Sequence, residues 1–212
     1  MKHHVNLLAG LALAATALAA VPAHALQPHE RSDWYFGLGF GPARGVAWTN
    51  DEGWFWDTGA SPQIRAGRML GRRFSVGIDA QTWFNEIGTA GDDVPLQLKL
   101  RLTGHLWALA FSWYPGEADG PWGGFFTRAG AGPAIANFAL AIPDPEDPLG
   151  ARELQARIDE WGWGMLLAVG YEARISQHFA AGLQLSSNHL WIDETISRVW
   201  FGGPVLQFLW YF

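Results

Sequence analysis

Apolar and polar side chains alternate with a period of two in eight separate stretches of this chain. Successive side chains of an extended strand point to opposite faces, so each stretch predicts a strand with one apolar side. The first, about Asp33 to Ala43, sets Trp34, Phe36, Leu38 and Phe40 against Tyr35, Gly37, Gly39 and Gly41. The second, near Ala60 to Leu70, carries Gln63, Arg65 and Gly67 on its polar side. The third, Arg73 to Glu86, opposes Phe74, Val76, Ile78, Ala80 and Phe84 to Ser75, Gly77, Asp79, Gln81 and Asn85. The fourth, Leu96 to Tyr114, begins with Leu98, Leu100 and Leu102 on the apolar face and Gln97, Lys99, Arg101, Thr103 and His105 on the polar one. Further on, Trp107, Leu109, Phe111 and Trp113 carry the bulk, which is the opposite phase. A bulge near Gly104 to Leu106 is expected to absorb that slip.

The fifth strand is placed at Trp122 to Leu140, with Arg128 on its polar side and much Gly and Ala. The sixth, Glu160 to Arg174, sets Trp161, Trp163, Met165, Leu167, Val169 and Tyr171 against Gly162, Gly164, Ala168, Gly170 and Glu172. Before it, Ala151 to Trp161 fits either an extension of that strand or a short helix. The seventh, His178 to Trp191, opposes Phe179, Ala181, Leu183 and Leu185 to Gly182, Gln184, Ser186 and Asn188. The eighth, Val199 to Phe212, aligns Leu206, Phe208, Trp210 and Phe212 on one face. The links after strands two, four and six read as short (71–72, 115–121, 175–177), and those at 44–59, 87–95 and 141–159 as long. Only the last link on the long side, near 192–196, reads as short.

Composition narrows the solvent. Thirteen Trp and thirteen Phe stand in a chain whose mean hydropathy is only +0.02. Beyond the N-terminal stretch no apolar run approaches the ~20 residues that a membrane-crossing helix needs. Short alternating strands with aromatic rings near both membrane faces satisfy both facts. At the N-terminus, Lys2, the apolar run Val5 to Ala20 and the triplet Ala23-His24-Ala25 predict a cleaved export signal over residues 1–25, with one domain over 26–212. That segment holds one Lys and no acid, so the mature chain is one unit more negative than the −6 of the whole. An acidic chain of this kind argues against nucleic acid as a partner. No cysteine is present, which excludes disulfides.

An export signal followed by strands ending in a Phe-terminated, alternating segment resembles the small bacterial outer-membrane β-barrels of the OmpA/OmpX type. The fold expected is all-β: an eight-stranded, antiparallel, up-and-down transmembrane barrel. The resemblance implies outer-membrane localisation in a Gram-negative bacterium, contact with outer-membrane lipid and lipopolysaccharide, and recognition of the terminal strand by the barrel-assembly machinery through Phe208, Trp210 and Phe212. With nothing after Phe212, no peptidoglycan-binding module is expected. A soluble lipocalin-type barrel would keep its apolar face inside, and alternation alone does not say which face is out.

In a barrel of eight strands the interior has room only for side chains, and inward glycines would make space for larger neighbours. The charges expected inside are Arg65, Asp79, Lys99, Arg101, Arg128 and Glu172. They are read as a structural network closing the lumen, since a buried charge needs a partner. The other reading is an anion site or a narrow path for small or hydrophobic solutes.

Ser187, His189 and Glu194 bring nucleophile, base and acid types together. Outer-membrane lipid A deacylases place such groups on barrel strands, with a His two residues before a Ser-Asn pair. Here Leu185 holds that place before Ser187-Asn188, so a hydrolase is the alternative and no catalysis is expected. No histidine or acidic spacing resembles a zinc or EF-hand site, and neither metal nor cofactor is expected. Trp48, Trp54, Phe55 and Trp56 lie in the stretch 46–58, read as the first outer loop. They suit a surface partner, or the aromatic girdle at headgroup level with Trp83, Trp161, Trp163 and Trp191. Trp34, Trp113, Trp122, Tyr171, Trp210 and Tyr211 are expected in the opposite, periplasmic girdle.

Overall fold

The computed structural model describes residues 34–49, 54–88, 99–117, 120, 122–143, 153–192 and 196–212. The signal segment expected at 1–25 lies outside them. Eight strands follow in chain order: β1 Trp34–Thr49, β2 Trp54–Met69, β3 Phe74–Gly88, β4 Lys99–Trp113, β5 Phe125–Pro143, β6 Glu153–Arg174, β7 Phe179–Ile192 and β8 Ile196–Tyr211. Each pairs antiparallel with the next, and β8 pairs with β1, so the sheet closes into an up-and-down barrel with no free edge.

Exposure settles which face is out. Phe40, Leu109 and Trp163 are 62%, 67% and 68% exposed, while Arg65, Asp79 and Gln207 are at most 1% exposed. Apolar outside and polar inside is the membrane pattern, the reverse of a lipocalin. Inward glycines supply the space expected of them. A methyl group on Gly37 would sit 2.7 Å from Arg65 Cγ, and one on Gly45 would sit 2.3 Å from the Trp83 ring.

Four readings need correction. First, β1 and β2 are longer than the alternation indicates and stay paired up to Trp48 opposite Trp54, so the first outer link is only 50–53. The stretch 46–58 is mostly strand, and the link lengths do not alternate as expected: 114–124, at the end where β1 begins and β8 finishes, spans more residues than any link on the other side. Second, the sixth strand starts before Glu160: of the two alternatives for 151–161 the strand extension holds, since β6 begins at Glu153 and stays paired with β5.

Third, β4 has no bulge at 104–106. Its register with β3 runs unbroken from Trp113 opposite Phe74 to Lys99 opposite Gly88. The phase set by Trp107, Leu109, Phe111 and Trp113 therefore holds throughout, so Leu102 and Leu106 point inward and Arg101 points outward. Fourth, Trp83 and Tyr211 belong to no girdle. Each occupies an inward position of its strand and is buried.

One physical cause lies behind the third correction and the burial of Trp83, while Tyr211 is drawn inward at the other end by its hydrogen bond to Glu172. At the end away from the start of β1 the barrel is filled with Trp83, Leu102, Leu106, Leu190, Val199 and Phe201. At the same end its outer wall carries Arg44, Arg101, Asp159 and Arg198. A dry interior and a wet headgroup layer outside reverse the polarity that holds at mid-membrane.

Candidate functional site

The lumen holds three layers. Nearest the termini are Tyr35, Tyr114, Phe126, Leu209 and Tyr211, all buried. The polar layer follows, and the apolar layer around Trp83 and Phe201 closes the far end, those two rings stacked with centroids 6.0 Å apart and 12° between planes.

Strand alternation turns one residue in two inward, so polar groups from non-adjacent strands converge on the axis. Asp79 on β3 accepts hydrogen bonds from Arg128 Nη1 on β5 at 3.1 Å and from Gln63 Nε2 on β2 at 3.2 Å. Gln184 on β7 ties these together, accepting from Arg128 Nη1 at 3.1 Å and donating to Gln63 Oε1 at 2.6 Å. Arg128 Nε donates to Ser112 Oγ on β4 at 3.0 Å. Below, Glu172 on β6 accepts from the Tyr114 hydroxyl at 3.0 Å and the Tyr211 hydroxyl at 2.7 Å. Arg65 Nη2 lies 3.9 Å from that carboxylate, and Arg65 Nη1 donates to Gln207 Oε1 at 2.8 Å. The guanidinium also sits over the Tyr35 ring at 5.1 Å. Gln81 links Ser61 and Ser186 at 3.3 and 3.1 Å.

Of the six expected lumen charges, Arg65, Asp79, Arg128 and Glu172 are brought together. Arg101 is not, because it faces outward opposite Glu86 in the ladder. Lys99 pairs through its backbone with Gly88 and Ala141, and its side chain lies outside the described residues. The sequence reading placed Tyr35, Gln63, Gln81 and Gln184 on the polar faces without naming them as members of the network, and it did not read Tyr114, Tyr211 or Gln207 as inward. The signal was present, since Tyr35, Gln184 and Gln207 each stand in the polar phase of a strand.

The Ser187 and His189 side chains meet, with Ser187 Oγ 3.2 Å from His189 Nε2, but on the outer wall. Trp200 Nε1 donates to Ser187 Oγ at 2.9 Å. The His189 ring is stacked near Trp191 and tilted against Trp200, each at 6.4 Å. Glu194 lies outside the described residues, so the pair has no orienting carboxylate among those described. The backbone around Ser187 is paired with β6 on one side and β8 on the other, which leaves no free amide there among the described residues to stabilise an oxyanion.

Trp48, Trp54, Phe55 and Trp56 stand on paired strands. Trp48 and Trp56 are exposed, and Arg44 lies 4.1 Å over the Trp56 ring. The side chains of Trp54 and Phe55 lie outside the described residues. Phe208, Trp210 and Phe212 all face outward as their spacing requires. Phe208 and Trp210 pack on Phe179 at 6.2 and 5.3 Å. Phe212 N bonds to Trp34 O at 3.0 Å, which ties the terminal residue to the start of β1.

Among the described residues the outer wall carries two concavities that share a residue, Trp200. One, of about 880 Å³, crosses β4 to β8 over the small side chains of Thr127, Ala129 and Ser187 and the bare backbone of Gly202, between Phe111, Trp113, Leu167 and Trp200. The second, about 440 Å³, lies at the outer end of β1, β7 and β8 and includes Trp48, His189, Trp191, Ser197, Arg198 and Trp200.

No protein-family model and no curated protein sequence matches the chain. Solved structures do match it. Ail, the attachment invasion locus protein of Yersinia pestis, shares 8% identity at a TM-score of 0.52, covering 85% of this chain and 99% of its own; it was solved in complex with the heparin analogue sucrose octasulfate. Neisserial surface protein A matches at 15% identity and 0.47, over 86% and 99%, and OprG of Pseudomonas aeruginosa at 13% and 0.44, over 88% and 99%. The likeness to Ail is one of fold: this chain has the architecture of a small eight-stranded outer-membrane barrel.

Proposed function

We propose that this protein is a non-enzymatic barrel of the bacterial outer membrane with a structural or surface-interaction role, its outer end meeting lipopolysaccharide. In this reading the assembly machinery recognises the strand bearing Phe208, Trp210 and Phe212. The observation that carries it is the filled lumen. Rings and aliphatic side chains cap both ends of a charge network whose members are hydrogen-bonded across the axis. Such a core stabilises a barrel, and among the described residues its side chains occupy the space a solute would have to cross. At the outer end, Arg44 and Arg198 stand among tryptophans on the wall, where cations meet anionic headgroups. Ail, of the same architecture, was solved with a sulfated sugar.

The test is planar-bilayer recording of refolded protein. The expected result is an electrically silent membrane, and steady selective conductance would overturn the sealed-lumen reading.

A second reading, an outer-leaflet lipid hydrolase, draws on the Ser187–His189 contact. Against it stand the Trp200 donor on the Ser187 oxygen and, among the described residues, the ladder pairing of the backbone around it. Nucleophilic catalysis requires a base to strip the hydroxyl proton as the oxygen attacks, and a donor to that oxygen opposes the attack.

A further inference from the structure

The two concavities of the outer wall share Trp200, and their chemistry is complementary. The larger is walled by Phe111, Trp113 and Leu167 and floored by Ala129 on β5 and Gly202 on β8. In the ladder Phe111 pairs with Ala129, Ala129 with Leu167, Leu167 with Ser187, and Ser187 with Gly202. These positions form one oblique row across the strands; Leu167 stands between the small residues of the row, and a single concavity runs past it from Phe111 to Gly202. The next residue in the row after Gly202 is Arg44. The smaller concavity lies above it, at the level where the outer wall turns polar. There Arg198 is exposed and stands opposite Trp48 and Trp191 in the flanking strands. At the divide between the two, Ser187, His189 and Trp200 hold one another's polar groups, so polar atoms sit next to the apolar trough already paired.

We propose that these joined concavities bind one molecule of an acylated, phosphorylated glycolipid of the outer leaflet, of the lipid A class. An acyl chain lies along the trough. A phosphate meets the Arg198 guanidinium, and the sugar packs on Trp48 and Trp191, whose faces suit sugar rings. Arg44 flanks the same molecule. The charge, the aromatic faces and the adjoining apolar trough together select this lipid over an anionic phospholipid, which offers phosphate and chains but no sugar. The proposal rests on the outer-membrane reading above and not on the sealed lumen.

The test uses full-length refolded protein in detergent, checked for heat-dependent gel mobility, then titrated with bis-phosphorylated lipid A and separately with phosphatidylglycerol under native mass spectrometry. One lipid A is expected to be retained in preference to phosphatidylglycerol. Arg198→Ala should weaken it about tenfold, the scale of one lost charge-assisted contact, and Arg198→Lys by less. Ala129→Phe should weaken it by blocking the trough, while Arg101→Ala, on another part of the wall, should leave it unchanged. Equal binding of the two lipids, or unchanged lipid A binding in both Arg198→Ala and Ala129→Phe, would overturn the site. Arg198 is exposed, so its variants decide the matter even if Ala129→Phe does not fold. Bilayer conductance measured on the same preparation separates this outcome from the fate of the sealed-lumen reading.

Discussion

Arg128 and Asp79 are joined at 3.1 Å across the interior of the barrel, although β5 and β3 are not neighbours in the sheet. The residue directly opposite Asp79 on β2 is Arg65, and that side chain instead reaches Gln207 on β8 and the vicinity of Glu172 on β6. The two ion pairs thus cross the lumen rather than running along one hairpin. Each ties together strands that the backbone ladder does not connect.

Removing one partner of such a pair strands the other as an uncompensated buried charge. Asp79→Ala is expected to destabilise the folded barrel by about 3–5 kcal/mol. The double change Asp79→Leu with Arg128→Met should recover much of that loss, because apolar groups of similar volume substitute well for a buried pair. Urea unfolding in lipid vesicles, followed by gel mobility, measures both. A single variant as stable as the wild type would show that the pair does not form.

Arg101 makes a contrasting case. Because it faces outward, Arg101→Ala should leave the unfolding midpoint close to that of the wild type, surface charge interactions being weak. Arg65→Ala, by contrast, should lower it strongly. Equal losses from the two would restore the phase slip that the alternation of β4 suggested.

Gly45 faces the edge of Trp83, and a Cβ there would lie 2.3 Å from the ring. Gly45→Val is expected to cost about 1–3 kcal/mol or more through overpacking. Pairing it with Trp83→Leu should relieve part of that penalty, a coupling that a double-mutant cycle would read directly. Strict additivity would mean that the two side chains do not meet.

The Ser187–His189 contact makes a chemical prediction. Mass spectrometry of lipid A from cells with and without overexpressed protein should show the same acyl chains, and Ser187→Ala should change nothing. A gained or lost acyl chain that disappears in Ser187→Ala would make the protein an enzyme.

Much of this architecture is legible in the amino-acid sequence. A period of two is a local property, and it gave eight strands, their order and the placing of Arg65, Asp79, Arg128 and Glu172 on the polar faces of their strands. It gave the outward row of Phe208, Trp210 and Phe212 for the same reason. Tertiary structure decided everything that depends on where the solvent is. Closure placed the charged face inside, chose Asp79's partner from a strand two places away, and set Ser187 and His189 on the wall rather than in the lumen. It also reversed the pattern at the outer end, where Leu102 and Trp83 fill a dry interior and Arg101 and Arg198 reach a polar layer. Alternation records that two faces differ. Which of them meets hydrocarbon, water or other side chains changes with height along the barrel, and that height exists only once the sheet has closed.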